Sequence, residues 1–258
     1  MDLLTKILVC FLAGAGAGIG TGFAGMSAAA VIGPMLVTFL GADPYQAIGI
    51  GLASDVLASA ASALTYKRNK NLDIRDSLVL LCSVLCMTVV GSFVASLMPD
   101  HAMNSTMQVA MIIIGLKFIL FPVHTTREQT ELLPKKQRII KSVVGGTLVG
   151  FICGFIGAGG GIMLLFVLTS FLGYDLHMAV GTSVFIMAFT AFTGSTSHFV
   201  IGGMPDSLTL ALCMVFTLMW AMIASVIANK SNARTLNRVV GVVMIVTSVV
   251  ILVVNALK

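Results

Sequence analysis

The sequence predicts an all-helical protein that crosses a membrane many times, built from two related halves of opposite orientation. Of its 258 residues, 58% are hydrophobic and only 10% are charged, whereas soluble domains carry about 25% charged residues. The mean hydropathy is +1.05. Long apolar segments alternate with short polar loops, and the second half repeats the pattern of the first. These observations place the chain among polytopic membrane proteins and argue against a nucleic-acid partner, because its excess positive charge lies in loops beside apolar segments.

Five apolar segments precede a polar linker, and five follow it. In the first half they lie at about 6–22, 24–40, 46–65, 77–98 and 104–122, and in the second half at about 139–157, 160–172, 177–200, 207–228 and 236–256. The chain therefore divides into a first membrane repeat (1–122), a cytoplasmic linker (123–138) and a second membrane repeat (139–258).

The two halves align when the sequence is shifted by 132 positions, without a gap from Ile7 to Tyr66. Matches among Gly, Ala and Leu are common by chance in apolar sequence, but matches of acidic and aromatic residues are not. The aligned pairs include Gly18 with Gly150, Gly25 with Gly157, Phe39 with Phe171, and Asp43 with Asp175. The pattern indicates an internal duplication.

Positive charge predicts opposite orientations for the two halves. The 67–75 loop carries four Lys and Arg residues, while the matching 202–206 loop carries none. The relation reverses one loop later, since 99–105 has none and 230–238 has three. The positive-inside rule then places 67–75, 230–238 and the linker in the cytoplasm, with both termini outside the inner (plasma) membrane.

A helix break is predicted at Gly157–Gly161, where four of five residues are glycine. Irregular backbone at membrane depth is tolerated only inside protein or beside a water-filled cavity, so this break is where we expect a substrate. In each half the first two apolar segments are short, and each pair is interpreted as a hairpin bent at its glycines, followed by about three further helices. The count is then ten spans, or eight spans plus two re-entrant hairpins. Inverted repeats with broken helices are typical of transporters.

Several motifs of the second half resemble those of a known family. The glycine stretch Gly157–Gly161 is followed by the sequence AVGTS at 179–183, by His198, and by Gly202-Gly203 before Asp206. In these residues the chain resembles the sulfite exporter TauE/SafE family, also called toluene sulfonate uptake permeases. The resemblance covers essentially the whole chain. It implies transport of small sulfur-containing anions, such as sulfite and sulfonates, across the bacterial inner membrane.

The first half departs from the family's pattern. Where the family usually repeats the triple glycine, this chain has the sequence GMSAAA at 25–30. Where the second half has Gly181-Thr182-Ser183, the first has the sequence GIG at 49–51. These positions are the ones expected to touch substrate, so the resemblance leaves the identity of the anion open.

The chemistry expected at the breaks is anion binding by bare backbone. A helix that starts near Gly161 presents unpaired N–H groups and the positive end of its dipole, and a second helix start is expected near Ser27. No arginine lies in any apolar segment. The candidate substrate-binding residues are Gly157, Gly159, Gly160, Gly161, Thr182 and Ser183 of the second half, with Gly25, Ser27 and Ala28 of the first. Close helix packing is the alternative explanation for the glycines.

Ionisable residues at membrane depth are functional candidates because burying their charge is costly. Asp55 is the clearest, as a proton carrier, a ligand for a coupling cation, a counter-ion for Lys117, or a structural pair; its repeat partner is Met187. Lys117 lies close enough to the cytoplasmic end of its segment to snorkel. The remaining coupling or gating candidates are Asp43, Asp175 and His198, for which helix capping and interfacial anchoring are the alternatives.

The function expected from these residues is secondary transport of a small anion by alternating access, with the bilayer and the solute as partners and a homodimer left open. The alternative is a cation- or proton-coupled carrier of another small anion or metabolite, in which Asp55 is the coupling residue. An enzyme is disfavoured, since no HExxH or GxSxG motif is present and the four histidines are scattered. No catalytic residue, metal or cofactor is predicted.

Overall fold

The computed structural model describes residues 3–95, 112–113, 116, 119–120, 134–156 and 160–256. Their helices, in chain order, are α1 (Leu3–Ala24), α2 (Ala29–Leu40), α3 (Pro44–Arg68), α4 (Ile74–Ala95), α5 (Lys135–Ile156), α6 (Gly160–Ser170), α7 (Leu176–Gly202), α8 (Ser207–Lys230) and α9 (Ala233–Ala256). Among the described residues, α1, α3, α7 and α8 are long and apolar enough to cross a membrane. The predicted segment 104–122 and the linker lie largely outside the described residues.

Three of these helices start at an aspartate that caps them. Asp43, Asp175 and Asp206 precede α3, α7 and α8, and each carboxylate accepts a hydrogen bond from a backbone N–H of the first turn. The donors are the amides of Gln46, Met178 and Thr209, at 3.0, 3.1 and 3.0 Å. The capping interpretation of Asp43 and Asp175 is thus confirmed, because each oxygen pairs an N–H that the helix leaves free.

The turn before α3 recurs before α7, 132 residues later. Gly41 and Gly173 both adopt a left-handed conformation, with φ of 60° and 69°. In each turn the following residue donates its N–H to a carbonyl six residues back, Ala42 to Leu36 and Tyr174 to Leu168. The two halves therefore share this local geometry as well as its sequence.

One end of the bundle, the Asp206 end, is defined by two contacts. Lys6 Nζ lies 2.9 Å from Asp206 Oδ2, and His198 Nδ1 lies 3.1 Å from the carbonyl oxygen of Tyr45. Hydrogen bonds from Thr209 and Lys6 lower the pKa of Asp206 to about 2. The starts of α1, α3 and α8 and the last turns of α7 lie together at this end.

The opposite end, the Asn71 end, gathers the loops after α3, before α7 and after α8. Asn71 Nδ2 donates to Asn229 Oδ1 at 2.8 Å, and the Tyr174 hydroxyl donates to Asp73 Oδ2 at 3.0 Å. His177 Nε2 lies 3.0 Å from the carbonyl oxygen of Ser231. Helices α3 and α7 therefore run antiparallel, and the 67–75 and 202–206 loops lie at opposite ends of the bundle.

Each short helix pairs with the long helix before it in a hairpin that returns to its own end. Helix α1 starts at the Asp206 end, and α2 leads back there to the start of α3. Helix α6 ends at the Asn71 end, and α5 lies antiparallel to it, because Gly145 is beside Val167 and Gly160 is beside Cys153. With 12 and 11 residues, α2 and α6 are about 18 Å long or less, too short for a bilayer core of ~30 Å. The geometry favours re-entrant hairpins.

Small residues let the hairpins pack closely against long helices. On α1, a Cβ added at Gly14, Gly18 or Gly22 would come within 2.7 Å of α8. Gly146 and Gly150 of α5 lie equally close to α4. Because the contacts advance in the same direction along both helices, α1 runs parallel to α8 and α5 runs parallel to α4. The packing explanation holds for these five glycines.

Candidate functional site

The break between α1 and α2 is a capped helix end deep in the bundle. Gly25 has a φ of +61°, which a residue with a Cβ adopts only with strain. Its N–H donates to the Thr21 carbonyl at 2.9 Å, and the Met26 N–H donates to the Gly20 carbonyl at 3.2 Å. The Thr21 hydroxyl donates to the Met26 carbonyl at 2.9 Å. These bonds end α1 before α2 begins at Ala29.

The break between α5 and α6 lies between Ile156 and Gly160. The predicted site residues Gly157 and Gly159 fall outside the described residues, but Gly160 and Gly161 are buried in the first turn of α6. A Cβ on Gly160 would collide with Cys153 Sγ, and a Cβ on Gly161 would collide with the carbonyl oxygen of Gly25. Glycine is therefore required at 161, where the backbones of the two breaks touch.

Ser183 of α7 joins the two breaks. Its hydroxyl lies 3.0 Å from the carbonyl oxygen of Gly161 and 3.3 Å from that of Gly25, and it is fully buried. The only hydrogen of this hydroxyl is directed to backbone carbonyl groups, so in this structure Ser183 holds the hairpins together. We name Gly25–Ala28, Gly160, Gly161 and Ser183 the central junction.

Thr182, its neighbour in sequence, does not reach the central junction. Its hydroxyl oxygen is buried and accepts from the Asp73 N–H at 3.5 Å, at the Asn71 end. Successive residues of a helix point about 100° apart, so residues 182 and 183 face different neighbours. The sequence grouped them as one site, and the structure separates them.

Asp55 lies beside the start of α2, within the central junction's first half. Its side chain is fully buried and accepts a hydrogen bond from the Ser59 hydroxyl at 2.7 Å. The Ser27 hydroxyl and the Ala28 N–H face the same carboxylate. Ala28, at the N-cap position of α2, has no side chain that could cap the helix, so the carboxylate 27 residues further along takes that place.

Two oxygen atoms at this point have no hydrogen-bond partner among the described residues. Asp55 Oδ2 and Ser27 Oγ are both enclosed and unpaired, although both residues are at most 2% exposed. Sequence reasoning considered Asp55 and Ser27 separately and missed that they belong to one site. The only local signal was the missing cap at Ala28.

The corresponding point of the second half holds no carboxylate. Met187, the repeat partner of Asp55, is buried, and its Sδ lies 3.6 Å from where a Cβ on Gly160 would be. The two helix starts therefore differ in charge. The start of α2 faces an acidic group, and the start of α6 faces a thioether.

The remaining coupling and gating candidates lie away from the central junction. Asp43 and Asp175 cap helices at opposite ends of the bundle, and the His198 ring lies against Tyr45 with a centroid separation of 4.1 Å. A gating role for these residues stays a prediction, and Lys117 falls outside the described residues. Within the described ranges, no group of three or more His, Cys, Asp or Glu side chains could hold a metal ion.

Long apolar helices around two buried, broken hairpins define a multi-pass membrane protein of the transporter class. The chain belongs to the sulfite exporter TauE/SafE family, whose model matches residues 10–251. The family resemblance found in the sequence is thereby confirmed, and the family is one of membrane transporters.

Named relatives share this class. The probable membrane transporter protein YunE of Bacillus subtilis is 23% identical over 241 residues, which cover 88% of each chain. A probable membrane transporter protein of Haemophilus influenzae is 26% identical over 210 residues, covering 78% of this chain and 76% of the relative. No solved structure matches the chain.

Proposed function

We propose that this protein is a secondary transporter that exports small sulfur-containing anions, such as sulfite or organosulfonates, by alternating access around the central junction. The observation that carries the proposal is the contact between the two helix breaks at Gly25, Gly161 and Ser183. It supports a solute site at the start of α6, where the positive end of the helix dipole faces the interior. The family name supplies the sulfur oxyanion.

The proposed site needs no cationic side chain. The first turn of α6 leaves backbone N–H groups without helical carbonyl partners, and glycine at 160 and 161 keeps that backbone uncovered by side chains. A small oxyanion accepts several hydrogen bonds at once and so suits a cluster of amide donors. In a buried, low-dielectric site such donors attract an anion more strongly than they would in water.

Alternating access requires two structural units that can rock against each other, and we assign these units to two inverted repeats. The assignment is supported by the antiparallel α3 and α7 and by the reciprocal pairs α1 with α8 and α5 with α4. The turns that match 132 residues apart support it too. The Asn71 end then faces the cytoplasm, since Lys67, Arg68 and Lys230 flank it.

The test is anion flux in vesicles reconstituted with the purified protein. Gly161→Ala inserts a Cβ where the Gly25 carbonyl lies, so we expect it to separate the breaks and lower the flux of labelled sulfite at least tenfold. Gly33→Ala is the matched control, because its Cβ would meet Ile48 at an ordinary 3.7 Å and should leave the flux at the wild-type level. Equal flux in Gly161→Ala and the wild type would contradict the proposed site.

A further inference from the structure

We propose that Asp55 and Ser27 form a proton site, and that one proton bound there crosses the membrane with each anion. The inference rests on the proposed anion transport and adds the driving ion to it. The proton comes from water on one side of the membrane and returns to water on the other.

The geometry of the pair carries the first step. Asp55 Oδ2 and Ser27 Oγ are buried, mutually facing and unpaired, although buried polar atoms are nearly always hydrogen-bonded. A proton on Oδ2 turns the carboxyl group into a donor, and Ser27 Oγ is the acceptor beside it. One proton therefore satisfies two orphaned oxygen atoms and removes a buried negative charge.

No cationic side chain of the described helices reaches Asp55. The helices packed against α3 are α1, α2, α7 and α8, and their ionisable groups are Lys6, His177, His198 and Lys230 at the bundle ends, with Cys10 and Cys213 in the α1–α8 contact. Lys6, His177 and His198 have partners there. The charge of Asp55 is thus left to a mobile cation.

A proton suits this position better than a metal cation. The Ser59 hydroxyl donates to the carboxylate and the Ala28 N–H points at it, so two of the groups around it present hydrogen atoms that repel a cation. The start of α2 adds the positive end of its dipole. A metal cation would find only Oδ2 and the Ser27 hydroxyl unpaired, whereas a proton needs one donor atom and one acceptor.

The anion and the proton are coupled because their sites adjoin. Ser27 follows Met26, and a Cβ on Gly161 would lie 3.2 Å from Met26 Cα. An anion at the start of α6 therefore lies near the Asp55 carboxylate, and two negative charges in a low-dielectric interior repel strongly. Binding of the anion favours protonation of Asp55, and by reciprocity protonation favours binding of the anion.

The experiment follows methanesulfonate and thiosulfate into vesicles that contain the full-length protein and a lumenal pH dye. Neither anion takes up a proton near neutral pH, whereas sulfite does and would acidify the lumen by itself. We expect wild-type protein to acidify the lumen with one proton per anion, and anion affinity to rise up to tenfold per pH unit of acidification. With methanesulfonate the movement is then electroneutral, so a potassium diffusion potential leaves it unchanged.

Asp55→Asn keeps the shape of the side chain and cannot exchange the proton. We expect its remaining methanesulfonate flux to proceed without acidification and to follow the imposed potential. Asp206→Asn is the matched control, since Asp206 lies at the bundle end in an exposed ion pair and asparagine still caps α8; it should acidify the lumen as the wild type does. Ser27→Ala removes the acceptor and should move half-maximal flux to lower pH.

The outcomes separate the two proposals. Anion movement without acidification in the wild type, acidification by Asp55→Asn, or dependence on a sodium gradient would each overturn the proton site and leave the anion transporter standing. If Asp55→Asn does not fold, the wild-type proton count and Ser27→Ala decide the question. No movement of either anion above that of empty vesicles contradicts the proposed function, and the proton site with it.

Discussion

At the scale of single residues, the structure depends on polar side chains that bond to backbone groups of another element. Ser183 bonds to two helix breaks, and the Tyr66 hydroxyl donates to the Gly22 carbonyl near the end of α1 at 3.0 Å. Helix ends inside a bilayer leave carbonyl groups that water cannot reach. Buried hydroxyls satisfy those groups and fix where the hairpins bend.

Replacing Ser183 by alanine tests this role. The carbonyl groups of Gly25 and Gly161 lose a buried donor, so we expect the free energy of unfolding to fall by about 1–3 kcal/mol. Ser197→Ala in the same helix is the control, because its hydroxyl is exposed and bonds only to Thr193 of its own helix. Thermal unfolding of the purified proteins in detergent measures both changes. Equal melting temperatures for the two variants would contradict the role assigned to Ser183.

The residues also show which features a sequence can reveal. Capping by Asp43 and Asp175 was predictable because an N-cap is a local signal three residues long. The site at Asp55 was not, since its partner Ser27 lies 28 positions earlier in the chain and no local pattern connects the two. Thr182 and Ser183 could not be separated, because the neighbours of a helix face depend on tertiary packing.

At the scale of elements, the hairpins are held by glycine contacts with long helices rather than by specific polar bonds. The contact of α1 with α8 runs through Gly14, Gly18 and Gly22. In a lipid environment, close approach of backbones replaces the hydrophobic effect as the source of association. The short length of α2 and α6 follows from their starting at the breaks instead of at the membrane surface.

Gly18→Ala tests the contact of α1 with α8. The added Cβ would lie 2.6 Å from the Thr217 carbonyl oxygen and 2.7 Å from Trp220 Cβ, so the helices must move apart at a cost of about 1–3 kcal/mol. The measurement is the melting temperature in detergent, with Gly33→Ala as the variant that has room for its Cβ. A Gly18→Ala protein as stable as Gly33→Ala would show that the two helices do not pack as described.

The duplication explains how much of the element order could be predicted. The five-plus-five pattern and the breaks follow from glycine and from a shift of 132 residues, which are both visible in one sequence. The choice between full spans and re-entrant hairpins was not visible, because an apolar segment of about 13 residues suits either a tilted partial crossing or a buried helix. The depth at which Gly25 meets Gly161 decides in favour of the hairpins.

At the scale of the whole molecule, the two bundle ends should face opposite sides of the membrane. Asn69→Cys and Met204→Cys place a thiol at exposed positions of the Asn71 end and the Asp206 end, in a protein whose five native cysteines are replaced. We expect a membrane-impermeant maleimide to label Met204→Cys in intact cells and Asn69→Cys only after lysis. Labelling of both from the same side would contradict the inverted orientation.

Binding of a sulfur oxyanion by the purified wild-type protein tests the central claim most directly. A ligand that binds only the folded state raises its stability, by about 2.7 kcal/mol at a hundredfold excess over the Kd. We predict that sulfite, thiosulfate and methanesulfonate raise the melting temperature in proportion to the logarithm of their concentration, that acetate does not, and that Gly161→Ala loses the response. A protein that responds to none of these sulfur oxyanions but is clearly stabilised by a cation would contradict the account.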